Sequence, residues 1–313
     1  MGQGLDNVRR IYLEGIAGGN AREAVQTYTG RRYTQHSTGV GDGVEGFLAF
    51  FEPFVARNPK REIKIVRIFE DGPWVFCNAY QSLNDGAAQW GTMDRFYTDA
   101  NGLILEHWDT SAPYVAQTAS GADMVGGTTE VDPTGDTAAN KALVLEYTKQ
   151  VLQEGGHDRL DQFVSADLIQ HAPDIGAGRS GLANWLASPA AGAYEMLFQI
   201  IGQGDAVVTY GKRHAQGADI AVFDLYRVAN GRIVEHWMNA EQIGPRDTWG
   251  NSGKFCRGPP PAMLGHAPSL CAHSLYARAF PLFMFHRQGG PNHARNRSAL
   301  DHSWSHPPQG LRS

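Results

Sequence analysis

In the first hundred residues the apolar positions change period once. Leu5, Val8, Ile11, Tyr12 and Ile16 recur at helical spacing, Asp6 stands where a cap would, and Gly18-Gly19 ends the run. Asn20 and Glu23 resemble a capping box for a short second helix, and Phe47, Phe51 and Phe54 fit the apolar stripe of a third. Beyond it the pattern is strand-like, and strands are predicted over 63–68, 74–81, 90–97 and 103–110. Asp71-Gly72, Asp85-Gly86 and Asn101-Gly102 separate them as hairpin turns. Helices first and an antiparallel meander afterwards give an α+β domain.

The same order then repeats. Gln35-His36 and Gly43-Val44-Glu45-Gly46 match Gln170-His171 and Gly178-Arg179-Ser180-Gly181. The run from Ala100 through Asn101-Gly102 to Glu106-His107-Trp108 matches Ala229, Asn230-Gly231 and Glu235-His236-Trp237. In the second copy helices are predicted over 143–152, 160–163 and 182–186, and strands over 194–201, 207–212, 220–228 and 233–239. Units of this length are too long for solenoid repeats and read as tandem domains. The expected boundaries are 1–118 for domain one, 119–137 for a linker rich in helix breakers, and 138–250 for domain two.

Composition divides the chain again. Of 313 residues 42% are hydrophobic, enough for packed cores, and the net charge is −5. That charge sums an acidic part, residues 1–254, with 21 bases and 31 acids, and a tail, 255–313, with six arginines and one acid. The tail has eight of the 16 prolines and no lysine, and is expected to be disordered and dispensable beyond Lys254. Its Cys256, His266, Cys271 and His273 have gaps that fit no usual zinc finger, and its arginines form no patterned face for nucleic acid. No run is long and apolar enough for a membrane helix, and the N-terminus lacks the pattern of a signal peptide. With Cys77 as the one cysteine before the tail, a cytoplasmic protein is expected.

Strand alternation puts Leu105, His107 and Asp109 on one face and Ile104, Glu106 and Trp108 on the other. Asp94 sits one strand earlier and joins His107 and Asp109 if the register permits, while His36 lies between helices and can project over the sheet. A mostly apolar pocket with one carboxylate and one or two imidazoles moves protons on a carbon beside a carbonyl, because an apolar wall raises an aspartate pKa towards neutrality. The opposing reading is a plain meander whose polar residues are solvated. His36, His107 and Asp109 match no helical metal motif, so no metal is expected.

Tyr33-Thr34-Gln35-His36 before a glycine-led helix, the strand entering at Asp94, and Asn101-Gly102-Leu103-Ile104-Leu105-Glu106-His107-Trp108-Asp109 resemble the SnoaL-like polyketide cyclase family of the NTF2-like superfamily. In the second copy Ile169-Gln170-His171, Asp224-Leu225-Tyr226-Arg227 and Asn230 through Trp237 carry the same likeness. The resemblance implies two cone-shaped domains, each with helices packed on a curved antiparallel sheet around a pocket. It implies aldol-type ring closure or related proton transfer without a cofactor, with Asp109 as acid/base and Asp94, His107 and His36 orienting and polarising. Trp90, Trp108, His171, Asp224 and His236 are the expected substrate contacts. Copy two departs at Met238, where copy one has Asp109, and a thioether cannot shuttle a proton. Domain one is therefore expected to be catalytic on a small carbonyl or polyketide-like molecule, and domain two to be degenerate and to bind or hold the paired geometry, the opposite assignment being left open. Epoxide-type hydrolysis and plain small-molecule binding are the alternatives. The expected partners are a small substrate, with neither nucleic acid nor membrane, and an internal pseudo-dimer of the two copies, a homodimer being left open.

Overall fold

The structure, a computed structural model, describes residues 2–257 and 270–271; apart from these, the tail expected to be disordered lies outside the described residues. Copy one begins with α1 (Gln3–Arg10), which widens into a π-helical turn over Ile11–Ala17. The cap is Gly2 rather than Asp6, because the helix starts a turn earlier than the apolar spacing indicates. Next come α2 (Ala21–Tyr28), β1 (Thr29–Gln35) and α3 (Gly43–Arg57). The meander follows as β2 (Arg61–Asp71), β3 (Trp74–Leu83), β4 (Ala88–Thr98) and β5 (Ile104–Pro113).

The sheet order is β1-β5-β4-β3-β2. The meander is antiparallel, but β1 pairs parallel to β5, so the sheet is mixed rather than antiparallel throughout. Thr29–Gln35 escapes a pattern search because its residues are mostly polar and half of them stay partly exposed. A register shift at Leu105 also changes the predicted phase. Ile104 turns inward to the core, while His107 and Asp109 keep the inward face expected of them.

Copy two repeats the order with α4 (Thr137–Tyr147), α5 (Leu160–Phe163), β6 (Val164–Gln170) and α6 (Gly178–Leu186). Its meander is β7 (Ala193–Gln203), β8 (Ala206–Ala215), β9 (Ala218–Ala229) and β10 (Arg232–Gln242), in the sheet order β6-β10-β9-β8-β7. The repeated glycines share one reason. A Cβ on Gly46 would sit 2.2 Å from the carbonyl carbon of Gly41, and one on Gly181 2.1 Å from the Gly176 carbonyl oxygen. The first turn of α3, like that of α6, lies directly on the backbone of its preceding loop.

Each sheet packs helices on its inner face, and the two outer faces pack on one another. Phe69, Phe76, Met93 and Trp108 from copy one share a core with Val208, Tyr210, Phe223, Leu225 and Trp237 from copy two. The Arg95 guanidinium lies 3.8 Å from the Trp108 ring at this contact, and Asn239 Nδ2 donates to Gly91 O at 2.7 Å.

The segments after each meander cross to the other copy. After β5, Met124 is buried, Arg67 donates to the carbonyls of Val125, Gly126 and Thr128, and Trp237 Nε1 donates to Gly126 O. The expected linker is thus a pinned strap. After β10, Gly250 N donates to Thr38 O, and Phe255 stacks on Tyr210 within the shared core. The fold therefore runs past Lys254, beyond the limit set by composition.

Candidate active site

Copy one holds a cavity of about 610 Å³, a volume suited to a small organic ligand. Its apolar wall comes from the π-helical turn after α1, through Ile11, Tyr12 and Ile16, and from α3, through Phe47, Phe51 and Phe54. Alternation along β4 and β5 supplies the opposite wall: Trp90, Thr92, Asp94 and Phe96 from one strand, His107, Asp109 and Ser111 from the other.

The register pairs Asp94 directly with Asp109. Two carboxylates facing across neighbouring strands repel, and each has a different partner. His107 Nε2 lies 2.9 Å from Asp94 Oδ1, and its Nδ1 lies 2.9 Å from Gln35 Oε1. Gln35 is oriented by its other contacts, since Oε1 also accepts from Ser37 N and Nε2 donates to the Tyr33 hydroxyl. An amide oxygen accepts, so the Nδ1 hydrogen of His107 points at Gln35 while Nε2 faces Asp94. Asp94 is buried, and its carboxylate neighbours the Tyr12 phenol.

Asp109 meets a residue from the far end of the fold. Lys254, fully buried, donates to Asp109 Oδ1 at 2.9 Å, to Asp109 O at 3.0 Å and to Glu241 Oε1 at 2.8 Å. Burial by itself would raise the Asp109 carboxyl, but Lys254 and then His107 outweigh it and hold the group below the usual carboxylate range. This corrects the expectation of an aspartate raised towards neutrality, since the wall beside Asp109 carries a cation. Glu241 moves the other way, raised by burial and by the charge of Asp109 against the pull of Lys254. Burial, and then the neighbouring Asp94, push the Tyr12 phenol well above its ordinary value, which keeps it a neutral donor.

His36 does not join this cavity. It follows the last residue of β1 and turns to the outer face of the sheet, where it stacks on Trp108 at 4.2 Å. Its Nδ1 donates to Gly253 O at 2.9 Å and its Nε2 faces Glu106 Oε2 at 3.2 Å. Trp108 is likewise on the outer face, so neither it nor His36 lines the cavity with His107 and Asp109. Trp90 does line the cavity, at its partly exposed end.

Copy two divides in the same way. His171 stacks on Trp237 and faces Glu235, with Nδ1 donating to Asp123 O at 2.7 Å, and so lies outside the inner hollow. Asp224 and His236 line a hollow of only about 40 Å³, with room for no more than a few water molecules. Register places Tyr194 and Arg213 where copy one has Ile63 and Gln81. The Arg213 guanidinium lies 4.9 Å from the Trp185 ring, and the Tyr194 hydroxyl presses against Gly211. These larger side chains occupy the space that copy one leaves open. Here Gln170 Nε2 donates to His236 Nδ1, so the His236 hydrogen sits on Nε2, facing Asp224 at 3.0 Å.

Asp94, His107, Asp109 and Trp90 were legible as cavity residues. Lys254 and Glu241 carry no local sequence signal for it, and Gln35 carries one only through its repetition at Gln170.

No protein-family model and no curated protein sequence matches the chain. Solved structures similar to part of it include a candidate polyketide cyclase from Bacillus cereus, at 17% identity over 35% of this chain and 74% of that one, with a TM-score of 0.32. An NTF2-like protein of unknown function from Burkholderia xenovorans matches at 15% identity over 34% and 87%, with a TM-score of 0.32. A candidate SnoaL-like polyketide cyclase from Jannaschia matches at 19% identity over 35% and 85%, with a TM-score of 0.31.

Proposed function

We propose that copy one is a cofactor-independent acid–base enzyme acting on a small carbonyl or polyketide-like molecule, and that copy two does not turn over. One observation carries this reading: the same fold occurs twice, and only the copy with paired carboxylates at its wall keeps a ligand-sized cavity. Asp109, held ionised, takes a proton from the carbon beside a carbonyl. A proton carried between Asp94 and His107, 2.9 Å apart, goes to the developing enolate oxygen. Tyr33, whose hydroxyl accepts from Gln35, keeps its own hydrogen to donate in the same direction. In a ring closure the enol carbon then attacks a second carbonyl of the same molecule, its oxygen returns the borrowed proton to the Asp94–His107 pair as the C=O bond re-forms, and Asp109 gives its proton to the new alkoxide. Two carboxylates placed in unlike environments divide the acid and base roles between them.

The test is deuterium uptake at the α-carbon of 2-tetralone in D2O, followed by proton NMR. The full chain should accelerate uptake well above the buffer rate, and Asp109→Asn should remove the acceleration while leaving the fold intact. Uptake at the buffer rate refutes the reading.

A second reading, hydrolysis of an epoxide-type ether, is favoured by the opposite displacements of Asp109 and Glu241 about one lysine. In that case Asp109 would activate water and Glu241 would protonate the leaving oxygen. Oxygen-18 from solvent would then enter the product, as it would not in an intramolecular ring closure.

A further inference from the structure

One wall of the copy-one cavity is built by both copies. Asp109 from β5 and Glu241 from β10 of copy two line it, and the buried Lys254, from the strap that follows β10, pairs with both. An ammonium has three hydrogens, and the three acceptors around Lys254 are Asp109 Oδ1, Asp109 O and Glu241 Oε1. None is left for a ligand. The Ser111 amide is also spent, on Glu241 Oε2 at 3.0 Å. The wall therefore offers the cavity carboxylate oxygens and no free ammonium hydrogen, with a formal charge of about −1 when both carboxylates are ionised.

The twin arrangement in copy two lacks every part of this. Met238 replaces Asp109. In the strap of copy one, Asp123 O takes His171 Nδ1 as Gly253 O takes His36 Nδ1, so Met124 stands where Lys254 does. The charges go with the open cavity and not with the fold.

We infer that Asp109 and Glu241, held together by the buried Lys254, form the specificity wall of copy one, selecting a neutral or cationic molecule that brings a hydroxyl or amine donor, and rejecting carboxylates and phosphates. Lys254 is a positioning residue, which acts by fixing the two carboxylates. Copy two is thereby part of the site of copy one. The inference rests on the copy-one cavity being the ligand site, and not on what chemistry follows there.

Three probes of one shape test it by fluorescence titration of the full chain: 2-naphthol, 2-methylnaphthalene and 2-naphthoate. The native protein should bind 2-naphthol about tenfold or more tighter than 2-methylnaphthalene, as a hydrogen bond to a charged acceptor provides, and 2-naphthoate weakest. Glu241→Gln, which leaves Lys254 paired with Asp109, should bring 2-naphthoate level with 2-methylnaphthalene. Asp109→Asn with Glu241→Gln leaves Lys254 without a carboxylate and should make 2-naphthoate the tightest of the three. An unchanged order in these variants, native binding of 2-naphthoate as tight as 2-naphthol, or no saturable binding of any probe overturns the inference. The expected order without 2-tetralone exchange sinks the catalytic reading and leaves this one standing. Exchange with 2-naphthoate preferred does the reverse.

Discussion

Lys254→Met removes a cation that two carboxylates share. Lys254 is fully buried, and the ammonium sits 2.9 Å from Asp109 Oδ1 and 2.8 Å from Glu241 Oε1. Methionine has nearly the length of the lysine stem, so packing is largely kept and the loss is electrostatic. Breaking a buried pair by deleting one partner costs roughly 3–5 kcal/mol, because the remaining charge is left uncompensated. Against a domain stability of about 5–15 kcal/mol this is a large fraction. The pH dependence separates the charge effect from a packing defect. In the native chain Asp109 lies below its ordinary value, so its contribution is present above the unfolded pKa and is lost as pH falls through the folded one. In the variant two buried carboxylates without a cation take up protons more readily folded than unfolded, so stability should rise as pH falls. Urea midpoints at pH 8 and pH 5 read this directly. The variant should lose roughly 3–5 kcal/mol at pH 8 and recover part of it at pH 5. Adding Asp109→Asn should restore most of the loss at pH 8. A cost below about 1 kcal/mol, the range of an exposed ion pair, or a loss that deepens at pH 5 would refute this account.

Two further substitutions separate structure from chemistry. His36→Gln removes the stacking on Trp108 and the contacts to Gly253 and Glu106, and should lower the urea midpoint by the equivalent of about 1–3 kcal/mol while the folded protein exchanges 2-tetralone at the native rate. Loss of exchange without loss of stability would return His36 to the mechanism. Gly46→Ala sets a Cβ against the Gly41 backbone and should cost about 1–3 kcal/mol, as should Gly181→Ala against Gly176; thermal midpoints equal to the native value would contradict the close approach.

Much of the fold was legible because period-two alternation and a twofold repeat are strong local signals. They placed both meanders, and the turn at Asn101-Gly102 set the two strands that bring Asp94 opposite Asp109. β1 was hidden because a strand whose residues are mostly polar has no alternation to detect. His36 was misplaced for the same reason: as the residue after an unseen strand, it takes the phase of that strand. The repeated Gln-His and Glu-His-Trp signals mixed two causes. Gln35 and His107 face the cavity, whereas His36, Glu106 and Trp108 build the outer face. Lys254 lies 145 positions from Asp109, and no local pattern predicts a contact at that separation. The filling of copy two was equally hidden, since Arg213 and Tyr194 read as ordinary strand residues until register aligns them with Gln81 and Ile63.

The proposed function requires that one of two similar Asp–His pairs works and its twin does not. The direct measurement compares Asp94→Asn with Asp224→Asn in the full chain, using the initial rate of α-deuteration of 2-tetralone. Asp94→Asn should cut the rate by about 10²–10⁴, the usual range for losing a general acid or base, and Asp224→Asn should leave it at the native value. Equal losses in both variants, or a native rate in Asp94→Asn, would contradict the account.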